Sequence, residues 1–490
     1  MAIVDLHILN HADYGASFRP DFEDPGFSKF YAAIESVRKN DPEHTLLLDA
    51  GDNFKSKLWD DNVQEGIIRL KTDVYNYGNH DFDWGKDHLE LHTSYLKDKV
   101  HVVCANVIEK ETGNFVKGAK PYVVFDKGGI RYGVLGLITE YTPYMVTTKS
   151  FLPYKVIDSV SCARKYIPEM RKEGAEIIIV LTHFPFYFTE NSQSGELIEV
   201  LDQITDLHPD VMIGGHIPGD YARVYKDCIV TKGGFAGKSL LDGIIQFDTE
   251  TRQIVSKDAR VIDVFNGEFE NDEKIDEWVN SVIEPYSYYF NEVIAEAPED
   301  INARLDFESE LGDLYADILM EKYHTDFVYF NNTSMGYKLN KGPLARVDVE
   351  NITGFDDPIY QSVYTGKQIW DLFERVHDPD VFGNNGNISF AGFVVSMDHT
   401  KPKDHKVISI KDMNGNDIDF NKNYTVTTSE YMSSGGNGTY PIANQVKWTQ
   451  TQDTMYPVLI DYFIRHKIIR KPKLGRYPFI GKPENDNSPY

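Results

Sequence analysis

Four short stretches in the first half of the chain carry side chains that could hold a divalent cation. They are Asp49-Ala50-Gly51-Asp52-Asn53, Gly78-Asn79-His80-Asp81-Phe82-Asp83, Thr182-His183 and Gly214-Gly215-His216. Among them they offer carboxylates, amide oxygens and imidazoles, and two imidazoles, a carboxylate and an amide oxygen make a set suited to a first-row divalent ion such as Mn, Fe or Zn. Each stretch alone is weak. A Gly-Asp after an apolar run is an ordinary turn, and a Thr-His is an ordinary helix start or a satisfied core histidine. An amide and an imidazole side by side, as in Gly-Asn-His-Asp, have fewer structural uses. The weight lies in the ordered set of four.

Every stretch follows a short apolar run, at 46–48, 74–77, 177–181 and 211–213. Runs of Val, Ile and Leu this short, ended by Gly, Asn, Asp or His, predict fully buried strands. Amphipathic segments at 27–39 and 160–173 predict helices between them. The result is an α/β fold with its polar residues just past the strand ends, where open α/β sheets place ligands. Glycines beside them permit the tight turns that let side chains from separate strands converge.

Composition bounds the rest. A chain of 490 residues exceeds one hydrophobic core and implies two or three domains. With 41% hydrophobic and 13% aromatic residues it is no disordered chain. A net charge of −26 repels nucleic-acid backbones and argues against a nucleic-acid partner. A small phosphorylated ligand remains compatible, because a bound cation inverts the local sign. Cys104, Cys162 and Cys228 lack metal spacing and read as buried thiols without a disulfide framework. No stretch is long and apolar enough to span a bilayer. With no basic segment or cleavage site at the start, the sequence as it stands points to the cytoplasm, or to a secreted or periplasmic protein if a signal peptide has been removed.

The order Gly-Asp, Gly-Asn-His-x-Phe-Asp, Thr-His, Gly-Gly-His resembles the 5'-nucleotidase family, which includes 2',3'-cyclic-nucleotide phosphodiesterases and UDP-sugar hydrolases. Further landmarks are Pro121-Tyr122 ahead of Gly133 and Gly136, the stretch 234–237, Glu308-Ser309-Glu310-Leu311-Gly312, Tyr424-Thr425-Val426 and Gly435-Gly436-Asn437-Gly438. The resemblance runs over nearly the whole chain. It implies a four-layer α-β-β-α metallophosphoesterase sandwich followed by an α+β nucleotidase C-terminal domain. It also implies one or two divalent metals per chain (Mn, Fe, Zn or Mg) and a nucleotide or other small phosphate ester as substrate. By the same resemblance Asp13 and Asp52 are metal ligands, Asp52 bridging two ions, while Asn79, His183 and His216 complete one of them. His80, held by Asp83, faces the substrate and is the catalytic group. An imidazole backed by a carboxylate keeps its orientation and can protonate a leaving oxygen.

The sequence departs from the family at the second metal. Gly15 stands where the first motif, Asp-x-His, has its histidine, and Pro218 stands where Gly-His-x-His has its second. Three alternatives follow: a mononuclear enzyme on Asp52, Asn79, His183 and His216; a shifted site in which His7 or His11 joins Asp13; or a degenerate, non-catalytic protein that binds a nucleotide or phosphate ligand. Fewer imidazoles favour harder ions such as Mg or Mn. In the second half the family's phosphate-gripping arginine is absent from the stretch 331–336, which leaves Asn331 and Asn332 as substrate-binding candidates with Gly436. The base-clamping aromatic positions fall on Asn387 and Thr439. Phe390 or Tyr440 is then a replacement stacking face, or else an ordinary core residue.

The domains are expected at 1–265 (metal-binding and catalytic), 266–298 (an acidic connecting segment with helical patterns at 271–283 and 286–297) and 299–482 (substrate-binding), with a polar tail at 483–490. A helix is expected near 308–323, and Gly and Asn cluster at 382–388 and 433–438.

Overall fold

A computed structural model describes residues 3–20, 24–54, 60–188, 193–303, 308–336, 338–378 and 388–481. The 483–490 tail, the cluster at 382–387 and Asn387 lie outside the described residues. The chain divides into two compact units, Met1–Pro285 and Tyr286–Tyr490.

Two six-stranded sheets build the first unit. In chain order its main strands are β1 (Ile3–His11), β2 (Thr45–Asp49), β3 (Val74–Asn76), β4 (His101–Val103), β5 (Tyr122–Lys127), β6 (Ile130–Ile138), β7 (Ile177–His183), β8 (Val211–Gly214), β9 (Tyr221–Tyr225), β10 (Cys228–Lys232), β11 (Ser239–Asp248) and β12 (Gln253–Asp263). One sheet has the order β12-β11-β1-β2-β3-β4 and the other β9-β10-β8-β7-β6-β5. Strands β1 to β4 run parallel, and so do β6, β7, β8 and β10. The ends of β2, β3, β7 and β8 are the four stretches singled out by their chemistry.

Alternation along these strands makes four layers. Leu46, Leu48, Ile177, Ile179, Leu181, Val211 and Ile213 share one core, which holds residues of both sheets. Leu47 and Tyr75 pack outward with Phe30, Ile34, Val63 and Leu89, on helices that include α1 (Phe27–Arg38) and α2 (Lys86–Leu96). Ile178, Val180 and Met212 pack outward on the other side with Ile167 and Leu201, from α3 (Ser159–Lys172) and α4 (Glu196–Ile204). A strand with a helix layer on one face and a sheet on the other is apolar at every position, so these runs read as continuous rather than alternating. The three cysteines are buried free thiols, and burial pushes Cys104 up to about 12.

The second unit is α+β. Its five-stranded sheet has the order Ile388–Ala391, Phe327–Asn331, Asn423–Ser429, Pro358–Thr365, Thr449–Thr454. Helices Glu310–Tyr323 and Met455–His466 share one apolar cluster with this sheet and Gly366–Val376 another. Ser309 caps the first helix through the Gly312 amide at 3.0 Å. The connecting helix expected from the patterns over 271–283 and 286–297 is present as Glu273–Asn291, with Pro285 inside it, and is followed by a strand, Val293–Ala297. The helical pattern expected over 286–297 therefore ends early. Val293–Ala297 pairs with Gly342–Ala345, and this sheet partner, distant in sequence, overrides the local periodicity. Among the described residues no helix is long and apolar enough to cross a membrane.

Candidate metal centre

The strand ends bring their polar residues to one place. Strand β2 stops at Asp49, and the turn that follows carries Asp52 at φ 61°. Asp13 and His216 also sit at positive φ, 55° and 73°. Non-glycine residues rarely adopt this left-handed region, and such strain persists where surrounding contacts over-determine it. Here they do. The Asp13 N–H donates to Gly51 O at 2.9 Å, the Gly15 N–H to Asp52 O at 3.1 Å and the Ala236 N–H to Asp13 O at 2.9 Å.

The turns after β2 and β3 touch backbone to backbone. A Cβ on Gly51 would stand 2.1 Å from Gly78 N, and one on Gly78 would stand 2.0 Å from Asp52 Oδ1. Asp81 clamps the two turns together, since its carboxylate accepts the N–H groups of Gly78 (2.7 Å), Asp52 (3.1 Å) and Asn53 (3.3 Å). Burial and the charge of Asp52 raise Asp81 to about 7. Asp49 plays a similar part for the Gly51 amide (3.0 Å) and the Asn53 side chain (2.7 Å), and burial raises it to about 7.

Around this frame Asp52, His183 and His216 place ligand atoms within 4.8 Å of one another. His183 ends β7 and is fully buried. Its Nδ1 lies 2.7 Å from Ala50 O and donates to it, which fixes the tautomer and turns Nε2 inward. That Nε2 is 3.0 Å from Asp52 Oδ2 and 3.7 Å from Asp13 Oδ1, yet it has no hydrogen-bond partner. His216 donates its backbone N–H to Asp13 Oδ2 at 2.9 Å, and its Nδ1 lies 2.8 Å from Asn79 Oδ1. His80 donates its backbone N–H to Asp52 Oδ1 at 2.8 Å, while its Nδ1 is held by Asp83 Oδ2 at 2.7 Å.

The electrostatics describe a hole for positive charge. Burial pulls the His183 imidazole down, but the Asp52 and Asp13 carboxylates overcome it and hold the ring at about 10. Burial likewise opposes ionisation of Asp52, and His183 and His80 outweigh it, so its carboxyl stays well below the usual range. Burial together with His183 drives His216 down to about 3. The buried His183 Nε2 set against the Asp52 and Asp13 carboxylates, with the neutral His216 imidazole beside them, is a donor set that fits one divalent cation.

The structure thus brings Asp52, Asn79, His80, Asp83, His183 and His216 together, with Asp13 beside them. His7 and His11 do not join Asp13. His7 Nδ1 pairs with Asp242 at 3.0 Å. His11 lies edge-on to Phe30 and 3.6 Å from Asp49, and burial drives it to about 3. In the second unit Phe390 is 4% exposed and packs edge-on against Phe373 at 4.9 Å, so its face is covered by core and offers no stacking platform. Tyr440 is 54% exposed, at the start of the helix Tyr440–Ala443. Gly436 is buried, its carbonyl accepting the Thr439 hydroxyl at 2.8 Å. Asn332 is buried and accepts the Ser389 hydroxyl at 2.6 Å, and Asn331 ends the strand before it. Sequence reasoning misses Asp81, which occupies the variable position of Gly-Asn-His-x-Phe-Asp.

Comparison with known proteins gives matches over both units. A calcineurin-like phosphoesterase model matches residues 1–220, and a model of the 5'-nucleotidase C-terminal domain matches residues 293–445. Endonuclease YhcR of Bacillus subtilis is 26% identical over 436 residues, covering 85% of this chain and 35% of the relative. A cell wall protein of Listeria monocytogenes is 23% identical over 490 residues, covering 88% of this chain and 61% of the relative. The chain therefore spans less than two thirds of either relative's length. The crystal structure of a 5'-nucleotidase precursor from Thermus thermophilus has the same fold, with a TM-score of 0.82 at 20% identity, covering 98% of this chain and 100% of that one.

Proposed function

Because this chain belongs to the calcineurin-like phosphoesterases that carry a 5'-nucleotidase C-terminal domain, we propose that it hydrolyses a phosphate ester of a small molecule, a nucleotide first among them. The observation that carries the proposal is the convergence of Asp52, His183 and His216 within 4.8 Å, with His80 bonded to the same Asp52 carboxylate. Asp52, His183, His216 and Asn79 would hold the divalent ion, Mn, Fe, Zn or Mg. When bound, such an ion supplies Lewis acidity toward phosphoryl oxygens and lowers the pKa of water.

The chain's own groups supply the rest. The Asp83 carboxylate fixes the His80 ring through Nδ1, and Nε2 would face the ester. As a water oxygen bonds to phosphorus and the ester P–O bond breaks, His80 Nε2 gives its proton to the departing oxygen. The proton shed by the attacking water balances the one His80 gives up. The Asp81 clamp keeps the Asp52 and Asn79 turns from shifting, which preserves the reacting geometry. The Bacillus relative is named an endonuclease, but a surface of net charge −26 disfavours a polyanion and favours a small ester.

The test is hydrolysis of nucleoside monophosphates and p-nitrophenyl phosphate by Mn-loaded protein, beside His80→Ala. Nucleoside monophosphate turnover that survives this substitution unchanged removes His80 from the reaction. Binding without hydrolysis of any ester replaces the enzyme with the non-catalytic ligand-binding protein that Gly15 and Pro218 bring to mind.

A further inference from the structure

Strand β10 pairs in parallel with β8, and its register sets Lys232 opposite Gly214. Lys232 is therefore at the same end of the sheet as His216 and His183. It is 1% exposed. Its Nζ donates to Pro218 O at 2.8 Å and to Phe186 O at 3.3 Å, and the Phe188 ring centre lies 5.3 Å away. Pro218 is two residues past His216, whose N–H rests on Asp13.

Two carbonyls solvate an ammonium without neutralising it, and burying such a charge is costly. The acidic groups whose fields reach Lys232 are Asp13 and Asp220. Asp220 is engaged by the Ser239 hydroxyl at 2.6 Å. Asp13 lies on the metal centre, outside the three-residue ligand cluster. The donor set thus suits one divalent ion, and at the same end of the sheet the chain offers a buried lysine, whose ammonium burial pulls down to about 8.

We propose that Lys232 is a phosphate-binding residue, its buried ammonium pairing with the phosphoryl group beside a single divalent ion at Asp52, His183 and His216. This rests on the reading of the centre as a phosphate-ester site. A lysine here would do with a point charge what a second cation does in a two-ion site, stabilising the oxygens turned away from the first.

The test uses the whole chain loaded with Zn and inorganic phosphate as probe. Elemental analysis is expected to give one Zn per chain for wild type, Lys232→Gln and Lys232→Arg alike. By calorimetry, Lys232→Gln, which keeps a donor and loses the charge, is expected to weaken phosphate binding by about tenfold or more, and Lys232→Arg to restore most of it. Melting temperatures report whether either variant has merely unfolded. If the Gln variant does not fold, 15N-labelled lysine in the wild-type chain decides. The Lys232 resonance, identified by its absence from the Arg variant, must move on adding phosphate. Two Zn per chain in wild type, phosphate affinity of the Gln variant within about twofold of wild type, or an unmoved resonance would each overturn the proposal. One ion, phosphate held by Lys232 and no ester hydrolysed would sink the hydrolase and leave the lysine. Two ions with hydrolysis intact would do the reverse.

Discussion

Gly78→Ala puts a methyl group directly against the Asp52 carboxylate. The new Cβ would lie 2.0 Å from Oδ1, 2.6 Å from Cγ and 2.7 Å from the Asp52 nitrogen. Ordinary contact begins near 3.4 Å, so the carboxylate must retreat by about 1.4 Å, while metal sites tolerate about 0.2 Å. Its backbone cannot follow, because the Asp52 N–H is held by Asp81 and its carbonyl by Gly15. A misplacement of about 1 Å costs on the order of 100-fold in function. Metal affinity is therefore expected to fall about 100-fold, with a stability loss of about 1–3 kcal/mol from overpacking. Equilibrium dialysis with elemental analysis reads the first quantity and chemical denaturation the second. Gly85→Ala is the control. Its Cβ meets nothing within 4 Å, but its φ is +83°, so it is expected to cost about 1 kcal/mol of stability and leave metal affinity alone. Metal affinity of Gly78→Ala within about threefold of wild type would refute the contact reasoning.

His80→Ala is expected to slow hydrolysis of alkyl phosphates by about 10²-fold or more and of p-nitrophenyl phosphate far less, since nitrophenolate departs without a proton. Equal losses on both esters would argue against proton donation. The His7 Nδ1–H donates to the Asp242 carboxylate, and this bond outweighs burial and raises the imidazole pKa. The stability from this pair is fully present below the unfolded pKa of 6.5 and lost as pH rises through the raised value. His7→Gln should accordingly lower the melting temperature more at a pH of about 5.5 than at about 9, and an equal drop at both would contradict the assignment. Thr365 accepts the Gln368 N–H at 3.2 Å, and Gln368 Oε1 accepts the Thr365 N–H at 2.8 Å. Removing this capping box in Thr365→Ala should cost about 1 kcal/mol by denaturant titration.

The centre is legible wherever its residues announce themselves in short order after a strand. The runs ending at Leu48, Leu181 and Ile213 are apolar at every position because both faces are covered, and it is the ordered set of polar residues after such runs, not any one of them, that marks the centre. Lys232 gives the same signal in reverse, a lysine closing a run buried throughout. Its meaning depends on the register with Gly214, which no local pattern encodes. Asp81 is silent in the sequence because its partners are backbone amides, on its own turn and on the one after β2, and any residue can offer an amide. Phe390 shows the opposite failure. An aromatic ring at a plausible spacing looks the same in sequence whether it faces solvent or packs against Phe373. The strand Val293–Ala297 is hidden for a similar reason, since its pairing partner begins at Gly342.

Asp52 arrives from one sheet, and His183 and His216 arrive from the other. Between those sheets the body of the unit is held by apolar packing, which has no directional grip at an edge. An ion shared by the three side chains would behave as a reversible cross-link, closing a long loop of chain much as a disulfide does, though one that a chelator can open. Each free-ligand concentration then sets its own melting temperature. The stability of the folded chain would then gauge how much divalent ion surrounds it.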